Sequence, residues 1–208
     1  MVILVKRGHS KEMHPPLERI HQLGGTVRTS QALALGIHPR TLYRLRDEGK
    51  LIELSRGVFR SADLPWPDQP DLVSVSVRVP KAVICLISAF AFHHLTTRIP
   101  HWVDIALPQG VKTPRVEHPS IRAFHVAPTA YEAGIETHPV DGVPVRIYSA
   151  EKTIADGFKF RNRIGLEVVL EALRNGLERD QVTVARILHF ARLCRVERVI
   201  TPYLEALA

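Results

Sequence analysis

Arg40, Thr41, Tyr43 and Arg44 lie within one short segment that opens at His38-Pro39 and closes at Gly49. Side chains of these types bind rather than react. An arginine fork donates to guanine O6 and N7 together, and the hydroxyls and aromatic ring suit neighbouring base edges. Upstream, Arg28, Thr29, Ser30 and Gln31 open a second segment, where unpaired backbone N–H groups and the positive end of a helix favour a phosphate. Arg56, followed by Gly57, marks a tight turn whose tip can meet a phosphate or a minor groove. With His38 at the mouth of its helix, these residues form the candidate DNA-binding set.

Charge points the same way. Residues 1–60 hold 11 Lys and Arg against 5 Asp and Glu, and residues 61–208 hold 17 against 16, so +6 of the net +7 lies in the first part. Positive charge gathered on one segment implies a polyanionic partner, here double-stranded DNA.

The elements that must position these side chains are three helices and a hairpin. A first helix starts near Pro15-Pro16, carries Leu17, Ile20 and Leu23 on one face, and ends at Gly24-Gly25. Thr29 caps a second helix over Ser30 to Leu35, closed by Gly36. On the third helix Leu42 and Leu45 lie about 60° apart and mark the core side, with Arg40, Tyr43 and Arg44 opposite. Two strand runs within Leu51 to Arg60, joined at Ser55-Arg56-Gly57, complete a winged helix-turn-helix. Each assignment has a plainer alternative. Arg40 and Arg44 also suit a solvated helix face, Tyr43 also suits packing on the hairpin, and a winged helix also serves protein contacts.

The prolines of Leu64 to Pro70 interrupt regular structure. They divide the chain into a flexible basic arm over 1–14 with Lys6, Arg7 and Lys11, a head over 15–62, a linker over 63–70 and a second domain over 71–208. In that domain helices are expected at Leu72–Val79 and Ser88–Leu95. Strands are expected at Ala82–Cys85, Trp102–Leu107, Ser120–Val126 and Val143–Tyr148. From Ser149, an N-cap, the pattern turns helical. One helix carries Ile154 and Phe158, one runs from Leu166 to Asn175-Gly176, and a last runs from Val184 to the terminus. The fold class is α+β: an N-terminal winged helix-turn-helix, then a mixed α/β domain closed by C-terminal helices.

Bond-making chemistry finds little support. His93 and His94 are adjacent, about 100° apart on a helix, and cannot chelate together. The chain has no His-Glu-x-x-His, Cys-x-x-Cys, Gly-x-Ser-x-Gly or phosphate-binding loop. No enzyme, metal or cofactor is therefore expected. Glu151, Lys152 and Asp156 offer a partner or antitoxin surface, against the plainer reading of Lys152 and Asp156 as an i,i+4 pair worth about 0.2–0.5 kcal/mol. Cys85 and Cys194 read as buried thiols of a reducing cytoplasm. The apolar run from Ala82 to Phe92 is too short for a bilayer, which takes about 20 residues. Lys6 and Arg7 follow the first apolar residues, the wrong order for a signal peptide.

Several segments together resemble a known family. In the head they are Ala34-Leu35-Gly36-Ile37, Thr41-Leu42-Tyr43-Arg44-Leu45, Gly49-Lys50-Leu51 and Arg56-Gly57-Val58-Phe59-Arg60. Beyond it they are Ile87 to His93, Trp102 to Pro108, and Pro144-Val145 through Ser149 to Asp156. The sequence resembles the AbiEi-type antitoxin and transcriptional regulator family of type IV toxin–antitoxin, or abortive-infection, systems. The resemblance implies a winged-helix head that represses its own operon at promoter repeats. It also implies a C-terminal domain that neutralises a nucleotidyltransferase-like toxin, with or without direct contact. Beside it stand three alternatives: a stand-alone regulator, a protein-interaction adaptor, and a nuclease targeted by its head.

Overall fold

Two sheets divide the molecule, and one strand of the smaller sheet serves both cores. A computed structural model describes residues 15–207; the arm expected over 1–14, with Lys6, Arg7 and Lys11, lies outside them. The chain begins with helix α1 (Pro15–Gln22), strand β1 (Thr26–Arg28), helices α2 (Thr29–Ala34) and α3 (Pro39–Asp47), and strands β2 (Leu51–Ser55) and β3 (Val58–Ser61). The strands form an antiparallel sheet in the order β1-β3-β2.

Local chemistry sets these boundaries. The Gln31 side chain accepts the Arg28 backbone N–H at 3.0 Å, so Arg28, one residue earlier than expected, caps α2. His38 caps α3: its Nδ1 accepts the Arg40 N–H at 3.2 Å, and Pro39 supplies a first-turn residue that needs no partner. Leu42 and Leu45 are fully buried with Ile20, Val27, Ala32 and Phe59 in the core of this head. Burial of each such leucine contributes about 1.5–3 kcal/mol.

The larger body starts at helix α4 (Pro70–Arg78) and continues through β4 (Val83–Ile84), α5 (Leu86–Phe92), β5 (Val103–Pro108), β6 (Ile121–Val126), α6 (Pro128–Glu132), β7 (Ile135–Val140) and β8 (Val143–Tyr148). Five helices close it: α7 (Ala150–Lys159), α8 (Arg161–Ile164), α9 (Leu166–Glu178), α10 (Val184–Cys194) and α11 (Glu197–Leu207). Its sheet runs β6-β5-β4-β8-β7, parallel between β6 and β5 and between β4 and β8, antiparallel elsewhere. The architecture is thus mixed α+β with two sheets, and the head is consistent with a helix-turn-helix arrangement.

A large core on one side of the sheet joins Phe90, Tyr148, Ile154, Phe158, Val169, Leu173 and Ile187. On the other side α4 packs Val73 and Val75 against Ile105, Val145 and Ile147, and Val58 of β3 belongs to this second core. Alternation along β3 makes this sharing possible, since neighbouring side chains face opposite ways and Phe59 turns into the head.

Several elements depart from expectation. Strands β1 and β7 and the short helices α6 and α8 were not expected. Helix α9 continues past Asn175-Gly176 to Glu178; Gly176 serves close packing rather than helix termination, since a Cβ there would stand 2.9 Å from Val182. The final helical pattern breaks at Arg195, whose φ of +60° separates α10 from α11. Among the described residues no helix is long and apolar enough to cross a membrane.

Candidate nucleic-acid interface

The exposed face of α3 carries Arg40, Tyr43 and Arg44, with Thr41 half-buried beside them. These side chains differ in freedom. Arg44 Nε stands 3.7 Å from Glu48 Oε1, one helical turn on. Arg46, which sequence reasoning passed over, is tied to Asp47 at 2.9 Å and Glu53 at 3.0 Å. Its hydrogen bonds to Asp47 and then Glu53 push its pKa further up. Lys50 pairs with Glu48 at 2.7 Å. Arg40, by contrast, has no carboxylate within 4.0 Å among the described residues. The unpaired positive charge of α3 therefore sits in its N-terminal half.

Tyr43 packs on the hairpin and keeps an exposed edge. Its ring meets Phe59 edge-on at 5.6 Å, and the Arg46 guanidinium lies 5.1 Å from its centroid, yet the residue stays 41% exposed. Packing fixes the ring and leaves its outer edge to solvent.

The second group gathers where α2 meets the β2–β3 turn. Both the backbone N–H and the hydroxyl of Thr29 donate to Gly57 O, at 2.9 and 3.3 Å. Gly57 adopts φ +74° in that turn, and its N–H donates to Glu53 Oε1 at 2.9 Å. Thr29 thus anchors the hairpin, and the Gln31 carbonyl is spent on the helix cap. Ser30 is exposed. Arg28 is half-buried, with Nη1 donating to Arg78 O at 3.2 Å. Arg56 is 80% exposed and faces Glu117 of the body at 3.5 Å. Thr29 and Arg56 thus meet at the turn and Arg28 reaches the end of α4, while His38, Arg40, Tyr43 and Arg44 share α3 and its cap.

The surface expected from Glu151, Lys152 and Asp156 is corrected. Lys152 is fully buried and Asp156 is 2% exposed, because α10 and α9 pack over α7. Lys152 Nζ donates to Asp156 Oδ2 at 2.5 Å, and the Cys194 thiol donates to the other carboxylate oxygen at 3.2 Å. The ammonium also lies 4.1 Å from the Tyr148 ring centroid. Burial, with Asp156 adding to it, pushes the Cys194 thiol up to about 12. Glu151 is buried too, and its carboxylate meets Arg186 at 3.1 Å. The trio is internal, and the small energy of an exposed i,i+4 pair does not apply to it.

The head is also fixed to the body by residues whose sequence signals were local, a helix end, a hairpin strand and a turn, and gave no sign of this joint. Arg60, 3% exposed, donates to Thr26 Oγ1, Pro65 O and Asp141 O at 3.0, 3.2 and 2.9 Å. Gly24 and Gly142 touch backbone to backbone: a Cβ on Gly24 would fall 1.8 Å from Gly142 O.

Comparison with known proteins agrees with the resemblance read from the head. Residues 15–62 match the model of a family described as transcriptional regulator, AbiEi antitoxin. No curated protein matches the chain. Among solved structures, the crystal structure of the RV2827C protein from Mycobacterium tuberculosis is similar over 83% of this chain and 69% of its own, with 15% identity and a TM-score of 0.51. Likeness at that identity is a likeness of fold.

Proposed function

We propose that this chain is a DNA-binding transcriptional regulator of the AbiEi antitoxin type, acting in the cytoplasm on its own promoter. In this reading residues 15–62 are a winged helix-turn-helix, 63–70 a linker and 71–208 an antitoxin-like domain. Helix α3 enters the major groove, with Arg40, Thr41, Tyr43 and Arg44 at base edges and His38 setting the helix start. The β2–β3 hairpin is the wing, where Arg56 meets a phosphate. Arg28, Ser30 and Gln31 face phosphates at the start of α2, held in place by Thr29. The observation that carries the reading is Arg40, which has no carboxylate partner among the described residues, in the N-terminal half of a helix whose other cations are matched by carboxylates. As an antitoxin the chain represses its own operon and neutralises a nucleotidyltransferase-like toxin; it has no catalytic role.

A gel-shift titration on its own upstream region and on unrelated DNA, at two salt concentrations, tests this. Preference for its own promoter is expected, with affinity falling steeply as salt rises, because each neutralised phosphate releases counterions. Equal weak binding to both sequences would remove the repressor reading. The family match ends at residue 62, and this favours, as a second reading, a regulator whose body has another task. Co-expression with the downstream reading frame separates the two: rescue from a toxic product supports the antitoxin.

A further inference from the structure

At the start of strands β5 and β6 of the body, a cavity of about 220 Å³ is lined by Arg98, Ile99, His101, Trp102, Arg122 and Arg163, and among the described residues no carboxylate lines it. Arg122 is held rigidly. Its Nε and Nη2 donate to the two oxygens of Asp104 at 2.7 and 2.8 Å. Asp104 is fully buried and also accepts the Ile87 N–H at 3.2 Å. This leaves Arg122 Nη1 without a hydrogen-bond partner among the described residues. The guanidinium of Arg163 lies 4.3 Å from the Phe124 ring centroid, and that of Arg122 lies 5.2 Å from the same centroid. Two like charges therefore share one ring, and one buried carboxylate balances only one of them. Arg98 adds a third cation, 4.0 Å from the exposed Glu167.

The Arg122 and Arg163 guanidiniums both line the cavity, and an anion within it would meet positive charge that Asp104 alone does not balance. Arginine forks match phosphate oxygens bidentately. A bare anion makes no use of the rest of the wall, where Trp102, its ring already 4.7 Å from the Arg122 guanidinium, stays 41% exposed and Ile99 is 80% exposed. We infer that this cavity binds a phosphate ester, its phosphoryl oxygens on Arg122, Arg163 and Arg98 and its organic part on Trp102 and Ile99. The ester is either a free mononucleotide or the phosphorylated end of a nucleic acid. This site is independent of the DNA-reading head.

The chain has two tryptophans, so Trp66→Phe leaves Trp102 as the sole indole reporter. Titrations of that full-length protein use inorganic phosphate, adenosine monophosphate, and one oligodeoxynucleotide with and without a 5′-phosphate. The expected result is a saturable change in Trp102 emission with a phosphate ester. Arg163→Ala and Arg98→Ala should each weaken it roughly tenfold or more, the loss of one charge-assisted contact, with little change in the thermal unfolding midpoint. A response to the mononucleotide assigns the free ligand. A response confined to the 5′-phosphorylated oligonucleotide assigns the nucleic-acid end. No saturable change with any of these, or unaltered affinity in both arginine variants, would overturn the site. Inorganic phosphate binding as tightly as the mononucleotide would overturn the part given to Trp102 and Ile99.

Discussion

The guanidinium of Arg60, on β3 of the head, donates at 2.9 Å to the main-chain oxygen of Asp141, in the turn between β7 and β8 of the body. All three of its acceptors are uncharged oxygens, and the Asp141 carboxylate is occupied by the N–H groups of Asp68 and Gln69. Arg60→Met keeps bulk and removes the donors, leaving the buried Thr26 hydroxyl and two partly buried carbonyls without them. A loss of about 2–4 kcal/mol is expected in urea denaturation followed by fluorescence. A change below about 0.5 kcal/mol, the size of an ordinary surface substitution, would mean that the joint does not depend on this side chain.

Arg40 and Arg44 should respond differently to truncation. Arg40→Ala is expected to cost about 1–3 kcal/mol of promoter binding and to relax base preference at one position. Arg44→Ala should cost less, because Arg44 already pairs with Glu48. Binding measured on a panel of single-base operator variants separates base reading from phosphate contact. Loss spread evenly over the panel would place Arg40 on the backbone.

For Lys152 and Asp156 a double-mutant cycle is informative. Lys152→Met alone strands a carboxylate that is 2% exposed and should cost about 3–5 kcal/mol. Lys152→Met with Asp156→Leu should recover most of that loss, since an apolar pair of similar volume removes both desolvation penalties. Additive losses in thermal and chemical unfolding would contradict a coupled buried pair.

Stability should also depend on pH through His93. Burial lowers its pKa, against the hydrogen bond to Tyr148 O at 2.7 Å and the nearby Glu136, which raise it, with His138 lowering it further. The unfolded chain therefore takes up the proton more readily than the folded one. This contribution is complete above the ordinary histidine value of about 6.5 and is lost as pH falls from there through the depressed value. The melting temperature should drop between pH 7.5 and 5.5, and His93→Gln should flatten that drop. An equal slope in the variant would assign the dependence to other groups.

Legibility in the sequence follows the range of the interactions involved. Helix α3 and the hairpin could be read because Leu42, Leu45, Gly49 and Gly57 act within a few residues of themselves. Strand β1 could not: three residues show no period, and its place comes from pairing Val27 with Phe59. The spacing of Lys152 and Asp156 was plain, but an i,i+4 pair looks the same on a wet helix as on a buried one. Asp104 and Arg122 meet only because β5 and β6 run parallel with those two residues in register. Most of the candidate interface is local and so is legible from spacing; whether each side chain is already engaged, as with Thr29 and Gln31, depends on neighbours that the sequence does not order.

The sharing of β3 bears on how this protein can be cut and recombined. The proline-rich stretch after residue 62 invites excision of the head, yet Val58 fills the body's second core and Leu54 packs against it. A fragment severed there would take a plug out of the body and carry a greasy, arginine-studded face into water. Chimaeras that exchange heads between relatives should therefore move Gly24, Val58, Arg60 and the Asp141-Gly142 turn as one set.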